Sequence, residues 1–175
     1  DQRIIQRFCH LRAIVQRVSK ASVTASYHAT SNSLKPGAAR SHGEQKSIGR
    51  GLVVLVGIEV GDTDDDAIYI ADKVTNLRVF EDTEQKFHYS AKQLALDILV
   101  VSNFTLMAET RKGRRPSFSR AATSTLADPI FTNIVEKFAE TKLNIVTGYF
   151  GQNMSLEIHN DGPVTILIDS RKRGL

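Results

Sequence analysis

The chain holds one cysteine, Cys9, in 175 residues. An internal disulfide is therefore excluded, and a reducing, cytoplasmic setting is expected. Metal-ligand spacing is lacking as well. The histidines stand at His10, His28, His42, His88 and His159, with no ligand-like interval between any two. No metal site is expected from them. No apolar run comes near the roughly 20 residues that a membrane-crossing helix needs, so no membrane partner is expected. No internal repeat is visible. A strong charge of one sign is missing too. The formal net charge of +4 permits a polyanionic partner without requiring one.

What is present is an ordinary globular composition, 41% hydrophobic. That length supports one core rather than two. Asp1 to Leu11 carries Arg3 and Arg7 and no acid after Asp1, and reads as an N-terminal extension (1–11) ahead of a domain over 12–170. Arg12 to Ala25 alternates apolar and polar residues, which predicts two strands or one strand bent at Ser19-Lys20. From 26 to 47 apolar residues thin out and Lys35-Pro36-Gly37 marks a turn, so a mobile surface insertion is expected there. Leu52 to Ile58 is a continuous apolar run and predicts a strand buried on both faces. Thr63 and Asp66 form a capping box, with the neighbouring Asp62, Asp64 and Asp65 favouring the positive end of a helix. Ala67, Ile70, Ala71, Val74 and Leu77 continue that helix. Asp97 to Val101 predicts a second buried strand. A second helix is expected over about 125–141, capped by Ser124 or by Asp128 ahead of Pro129. Asn144 to Thr147, Met154 to Ile158 and Val164 to Asp169 read as closing strands, with Asn160-Asp161-Gly162-Pro163 as a turn between the last two. Residues 171–175 form a basic tail. The pattern predicts an α/β fold: a single layered domain of mixed β-sheets with two main helices packed on one side.

Three polar stretches attach to these strands, and rigidly held loops are where function concentrates. Ser102-Asn103-Phe104-Thr105 follows the strand ending at Val101. Its hydroxyls, amide and backbone N–H groups suit an oxyanion, but no histidine or acid lies within it to serve as a base. A capped turn accounts for the same residues. Arg111 to Arg120 contains five cations in ten residues, Arg111, Lys112, Arg114, Arg115 and Arg120, with Phe118 among them. Cations with an aromatic suit a phosphate backbone and a stacked base, although a solvated loop has the same composition. Asn160 to Thr165 places Gly162 before Pro163, where a close backbone approach and a cis bond are both permitted. His159 beside it reads as a solvent-facing strand end.

Taken in order, Arg12 to Val18, Gly51 to Gly57, Ser102 to Leu106, Arg115 to Ser119 and Asn160 to Thr165 resemble the D-aminoacyl-tRNA deacylase family. The resemblance runs from about Arg12 to Asp169. It implies a homodimeric hydrolase without metal or organic cofactor. Its substrate would be the ester joining a D-amino acid or glycine to the 3′ adenosine of tRNA, a proofreading reaction that recycles mischarged tRNA. It further implies that Ser102, Asn103, Phe104 and Thr105 line the pocket of one subunit and that Gly162-Pro163 of the other enters it as a chiral gate. Arg17 would orient that dipeptide, Phe118 would lie near the adenosine, and Arg111, Lys112, Arg114 and Arg115 would meet RNA. The RNA's own 2′-OH is the group such enzymes are thought to recruit. One departure is plain: the family usually has Gln where Asn103 stands, one methylene longer. It motivates a second reading, a nucleic-acid-binding protein of this fold that has lost catalysis, and a third reading is a related deacylase with relaxed chirality.

Overall fold

The computed structural model describes residues 11–27 and 41–172. Strand β1, Arg12–Tyr27, organises everything else. It is one strand, bent where the sequence suggested: its pairing slips on either side of Val18, and Ser19 and Lys20 are exposed. Strands β2 (Ser41–Ile48) and β3 (Gly51–Gly57) lie end to end along one of its edges, antiparallel to it. The other edge is taken by the last strand, Met154–Asp169. The part of the expected insertion that the structure describes is therefore sheet, not loop. Tyr27 pairs with Ser41 and Ala21 with Ile48. Residues 28–40, like the extension over 1–10 and the tail over 173–175, lie outside the described residues. Leu11 belongs to the core rather than to an extension.

Helix α1, Asp64–Asn76, starts as predicted: Asp66 reaches back to accept from the Thr63 N–H at 2.9 Å. A short hairpin follows, β4 (Arg78–Glu81) and β5 (Phe87–Ser90), which the sequence reading did not anticipate. Strand β6, Asp97–Ser102, then runs parallel to β3. Gly51 is required at the start of this pair, because a Cβ there would stand 2.0 Å from the Asp97 carbonyl oxygen. Helix α2, Ser124–Ala139, is capped by Thr123, so neither Ser124 nor Asp128 is the cap. It passes through Pro129 in its second turn, where the missing N–H removes one helical bond. Strand β7, Ile145–Thr147, lies parallel to β6, and β8, Met154–Asp169, closes the chain against β1.

The alternation of β3 explains its unbroken apolar run. Leu52, Val54 and Val56 face one core with Ala67, Ile70, Val74, Phe131, Ile134 and Phe138 of the helices. Val53 and Leu55 face a second core with Val23, Ile48, Leu99, Leu156 and Ile158, formed where the far halves of β1, β2 and β8 curl over. Tyr149 Oη donates to the Glu44 carbonyl and Lys46 Nζ to that of Thr147, holding β2 over β7. Helices thus cover one face and folded sheet covers the other.

Candidate active site

Strand β6 delivers Ser102 to the carboxyl end of a parallel pair, the usual place for a site in such sheets. Asn103 N–H donates to the Val56 carbonyl at 2.7 Å, the last rung of that ladder. Asn103 then caps a 3₁₀ turn over Phe104–Met107. Its Oδ1 accepts from Thr105 N–H at 3.2 Å and, in a short hydrogen bond, from Thr105 Oγ1. The amide oxygen is thereby spent on the turn itself. Phe104 projects outward, 56% exposed, and meets Phe118, 38% exposed, edge-on at 5.1 Å between ring centres.

Phe118 is positioned by the basic stretch. Glu109 and Ser117 pair through both backbone bonds, 2.8 and 2.9 Å, so residues 110–116 project as a ribbon. Arg111, Lys112, Arg114 and Arg115 are all exposed on it. Arg111 is committed to Glu109 at 2.6 Å, and that ion pair holds the Glu109 carboxyl down at about 2. No carboxylate among the described residues pairs with Lys112, Arg114 or Arg115.

Beyond Phe118 the chain is bolted to the end of β3. Val60 N–H donates to the Arg120 carbonyl and Ala122 N–H to that of Ile58, each at 3.0 Å. Arg120 makes a short ion pair with Glu59, which is 4% exposed. Asp62 accepts from Glu59 N–H at 2.7 Å. Burial, opposed by that hydrogen bond, pushes the Asp62 carboxyl up to about 7. Asp62 is not part of the helix start that its place in the sequence predicts. It belongs instead to this anchor, and the helix is served by Asp64, Asp65 and Asp66.

A cleft of about 390 Å³ opens between these parts. Ser102 and Phe104 form one wall, Ala122 and Thr123 a second, and Phe150 and Met154 a third. Thr123 and Ser124 bring the positive end of α2 to its edge. No residue lining it carries a carboxylate, imidazole, amine or thiol. Asn103 and Thr105 turn to each other beside the cleft rather than into it. The contribution of residues 150–154 was missed in the sequence, because nothing in Phe-Gly-Gln-Asn-Met signals chemistry.

Gly162 and Pro163 do not line this cleft. They form no hairpin turn either. Strand β8 continues through them, but between the pairs Gln16↔Thr165 and Val18↔Asn160 a single residue, Arg17, faces Asp161, Gly162, Pro163 and Val164. The excess chain bulges outward, exposing Asp161, Gly162 and Pro163, with a cis bond between Gly162 and Pro163. Asn160 closes its neck, accepting from Val164 N–H at 2.9 Å and donating to Thr165 Oγ1 at 3.0 Å. Arg17 lies beneath, 6% exposed, its Nε donating to the Asp161 carbonyl at 3.0 Å. Gly162 has φ +137°, and a Cβ on it would stand 2.9 Å from Val164 N. His159 is exposed at the side, as expected.

A family model described as D-Tyr-tRNA(Tyr) deacylase matches residues 14–169. The chain belongs to that family. A D-aminoacyl-tRNA deacylase of Dehalococcoides mccartyi is 48% identical over 163 residues, 93% of this chain and 97% of that one. A D-aminoacyl-tRNA deacylase of Natranaerobius thermophilus is 43% identical, over 93% of this chain and 99% of that one. Among solved structures, a c-Myc DNA unwinding element binding protein superposes with a TM-score of 0.74 at 37% identity, covering 90% of this chain and 97% of that one. A probable eukaryotic D-amino acid tRNA deacylase superposes with a TM-score of 0.73 at 15% identity, over 91% of this chain and 99% of that one, which shows the shared fold. The layered α/β fold with two helices on one side is thus that of the family.

Proposed function

We propose that this deacylase works without a side-chain nucleophile or base, with its cleft supplied by one subunit and its chiral gate by another. D-aminoacyl-tRNA hydrolysis comes with the family. The observation that carries the rest is the cleft lining, which offers hydroxyls, amides, aromatic rings and backbone but no group that titrates near neutrality. An aminoacyl ester is already activated, so positioning and oxyanion stabilisation supply several kcal/mol of the barrier by themselves. The donors are backbone ones. Phe104 N–H makes no hydrogen bond among the described residues, and the first amides of α2 are unsatisfied by helix geometry. The attacking oxygen is that of water: it adds to the ester carbonyl, the 3′ oxygen leaves and takes up the proton, and the substrate's own 2′-OH beside it relays that proton.

Phe104 and Phe118 suit the terminal adenosine, and Lys112, Arg114 and Arg115 suit the phosphates behind it. The Gly162-Pro163 bulge acts as the gate of a neighbouring copy. Its backbone carbonyls hold the amino group and leave no room for an L side chain, so glycine and D-amino acids pass. A homodimer is supported by β8, which among the described residues pairs with β1 alone and leaves a long bare edge. The deciding measurement is deacylation of D-Tyr-tRNA against L-Tyr-tRNA. Hydrolysis of the D ester alone is expected, and no D-selective hydrolysis at micromolar protein would sink the assignment of chirality.

A second reading has one specific observation behind it, the 37% identical structure named for binding a DNA unwinding element. On that reading the basic ribbon binds nucleic acid and the cleft is idle. The same assay separates the two, because an idle cleft releases neither D- nor L-tyrosine.

A further inference from the structure

We infer that the β4–β5 hairpin sets the stereoselectivity of this enzyme, with Glu81 and Phe87 acting as positioning residues through Arg17. The inference rests on reading Gly162-Pro163 as the chiral gate.

The hairpin is a separate two-stranded sheet, anchored by Val79 and Phe80, which are buried in the helix-side core. It reaches the gate through one guanidinium. Arg17 Nη1 donates to the Val79 carbonyl at 2.8 Å and to Glu81 Oε1 at 3.2 Å. Its Nε donates to the Asp161 carbonyl at 3.0 Å, with the Asp161 carboxylate at 3.6 Å. The planar fork therefore ties the neck of the bulge on one side to the hairpin on the other. A buried guanidinium needs both its charge and its donors matched, and half of that match comes from β4. Phe87, from β5, covers the guanidinium at 5.6 Å although the ring itself is 52% exposed. An aromatic left half in water is accounted for if its task is to keep water off Arg17.

The gate touches the same group. A Cβ on Gly162 would stand 3.2 Å from Arg17 Nη2, so the backbone of the dipeptide rests against the fork. A shift of the fork moves the gate. Rejection of an L side chain is steric and senses displacements of tenths of an ångström, whereas attack on the D ester depends on the other half of the site. Glu81 and Phe87 line no part of the cleft, so loosening them relaxes rejection and spares the reaction. Steric discrimination of a small group spans about 10–200-fold, so a loss of about tenfold in the D/L ratio is expected from either change.

The test compares Glu81→Gln, Phe87→Ala and Gly162→Ala in the full chain, with D-Tyr-tRNA and L-Tyr-tRNA as substrates and thermal melting alongside. The expected result is faster L-ester cleavage in all three, with the D-ester rate of Glu81→Gln and Phe87→Ala within about twofold of the parent. Restoration of the ratio by Glu81→Asp would add to it, since charge is kept at the same strand position. If Gly162→Ala relaxes selectivity while Glu81→Gln and Phe87→Ala leave it unchanged, the hairpin is overturned and the gate survives. If Gly162→Ala also leaves it unchanged, the gate reading falls and takes the inference with it. Equal losses on both esters in the hairpin variants would mean general destabilisation and would equally overturn it.

Discussion

Asn103 shows how far a single residue type can be read. Its amide was expected beside an oxyanion, with a capped turn as the competing account, and the turn is what it caps. Thr105 is the other half of that cap. Its hydroxyl proton points at Asn103 Oδ1, and no base lines the neighbouring cleft. Thr105→Ala should therefore cost one exposed hydrogen bond, about 1 kcal/mol, and slow single-turnover D-Tyr release by about tenfold or less. A loss of a thousandfold with substrate binding intact would place the hydroxyl in the chemistry. Asp62 could not be read at all. Four acids near a helix start look alike in sequence, and only the fold buries this one against Glu59 while Asp64 and Asp65 stay in water. Its carboxyl is held protonated, near 7 against an ordinary 3.8. The folded state then binds the extra proton between those values, so the Asp62 contribution to stability is full below about 4 and is lost as pH rises through about 7. Asp62→Asn should flatten that decline: the difference in melting temperature between pH 5 and pH 8 shrinks in the variant, and an unchanged difference would show that Asp62 ionises freely.

Elements were legible where the side chains carried the pattern. β3 and β6 are unbroken apolar runs buried on both faces and α1 buries apolar residues at a period of 3.6, and each lies where the sequence places it. β2 was not legible because its stability is in the backbone: of the residues from Gly43 to Ile48 only Ile48 is buried, and polar side chains conceal a ladder to β1. The β4–β5 hairpin is short and mostly polar at its tip, so it too looked like connection. β8 was cut in two by a Gly-Pro signal that normally ends strands, and Arg17 filling the space under the bulge is what lets the strand continue. The ribbon over 110–116 is proposed to meet RNA, and its cations but one pair with no carboxylate among the described residues. Arg111 is the exception, being occupied by Glu109. Replacing Arg114 and Arg115 together with Gln should raise KM for aminoacyl-tRNA, leave kcat nearly unchanged and lower the slope of log KM against log salt by about one per lost phosphate contact. A fall in kcat with an unchanged salt slope would place the ribbon in the reaction instead of in RNA binding.

At the scale of the whole molecule, two of the stretches that carry the family resemblance do not share one cleft. Ser102 and Phe104 line a cleft, while Gly162 and Pro163 stand out on a bulge that lines no part of it. On the proposed reading the cleft and the gate therefore come from different copies of the chain. That arrangement makes a prediction about mixtures. A Ser102→Tyr subunit blocks its own cleft but keeps a normal gate, and a Gly162→Ala subunit keeps an open cleft but carries a damaged gate. Alone, the first should cleave nothing and the second should cleave D and L esters with little preference. After exchange with an about tenfold excess of blocked subunits, roughly nine open clefts in ten sit in mixed dimers if pairing is random. Each such cleft faces the intact gate of its blocked partner. L-Tyr-tRNA cleavage per open cleft should therefore fall about tenfold on mixing while D-Tyr-tRNA cleavage holds, a recovery of selectivity contributed by a protein with no activity of its own. If the gate acted on the cleft of its own chain, the blocked subunits would change nothing, and the same null result would follow if the chain worked as a monomer. Sedimentation of the mixture distinguishes those two failures, because exchange without recovered selectivity leaves a dimer whose gate and cleft belong to the same subunit.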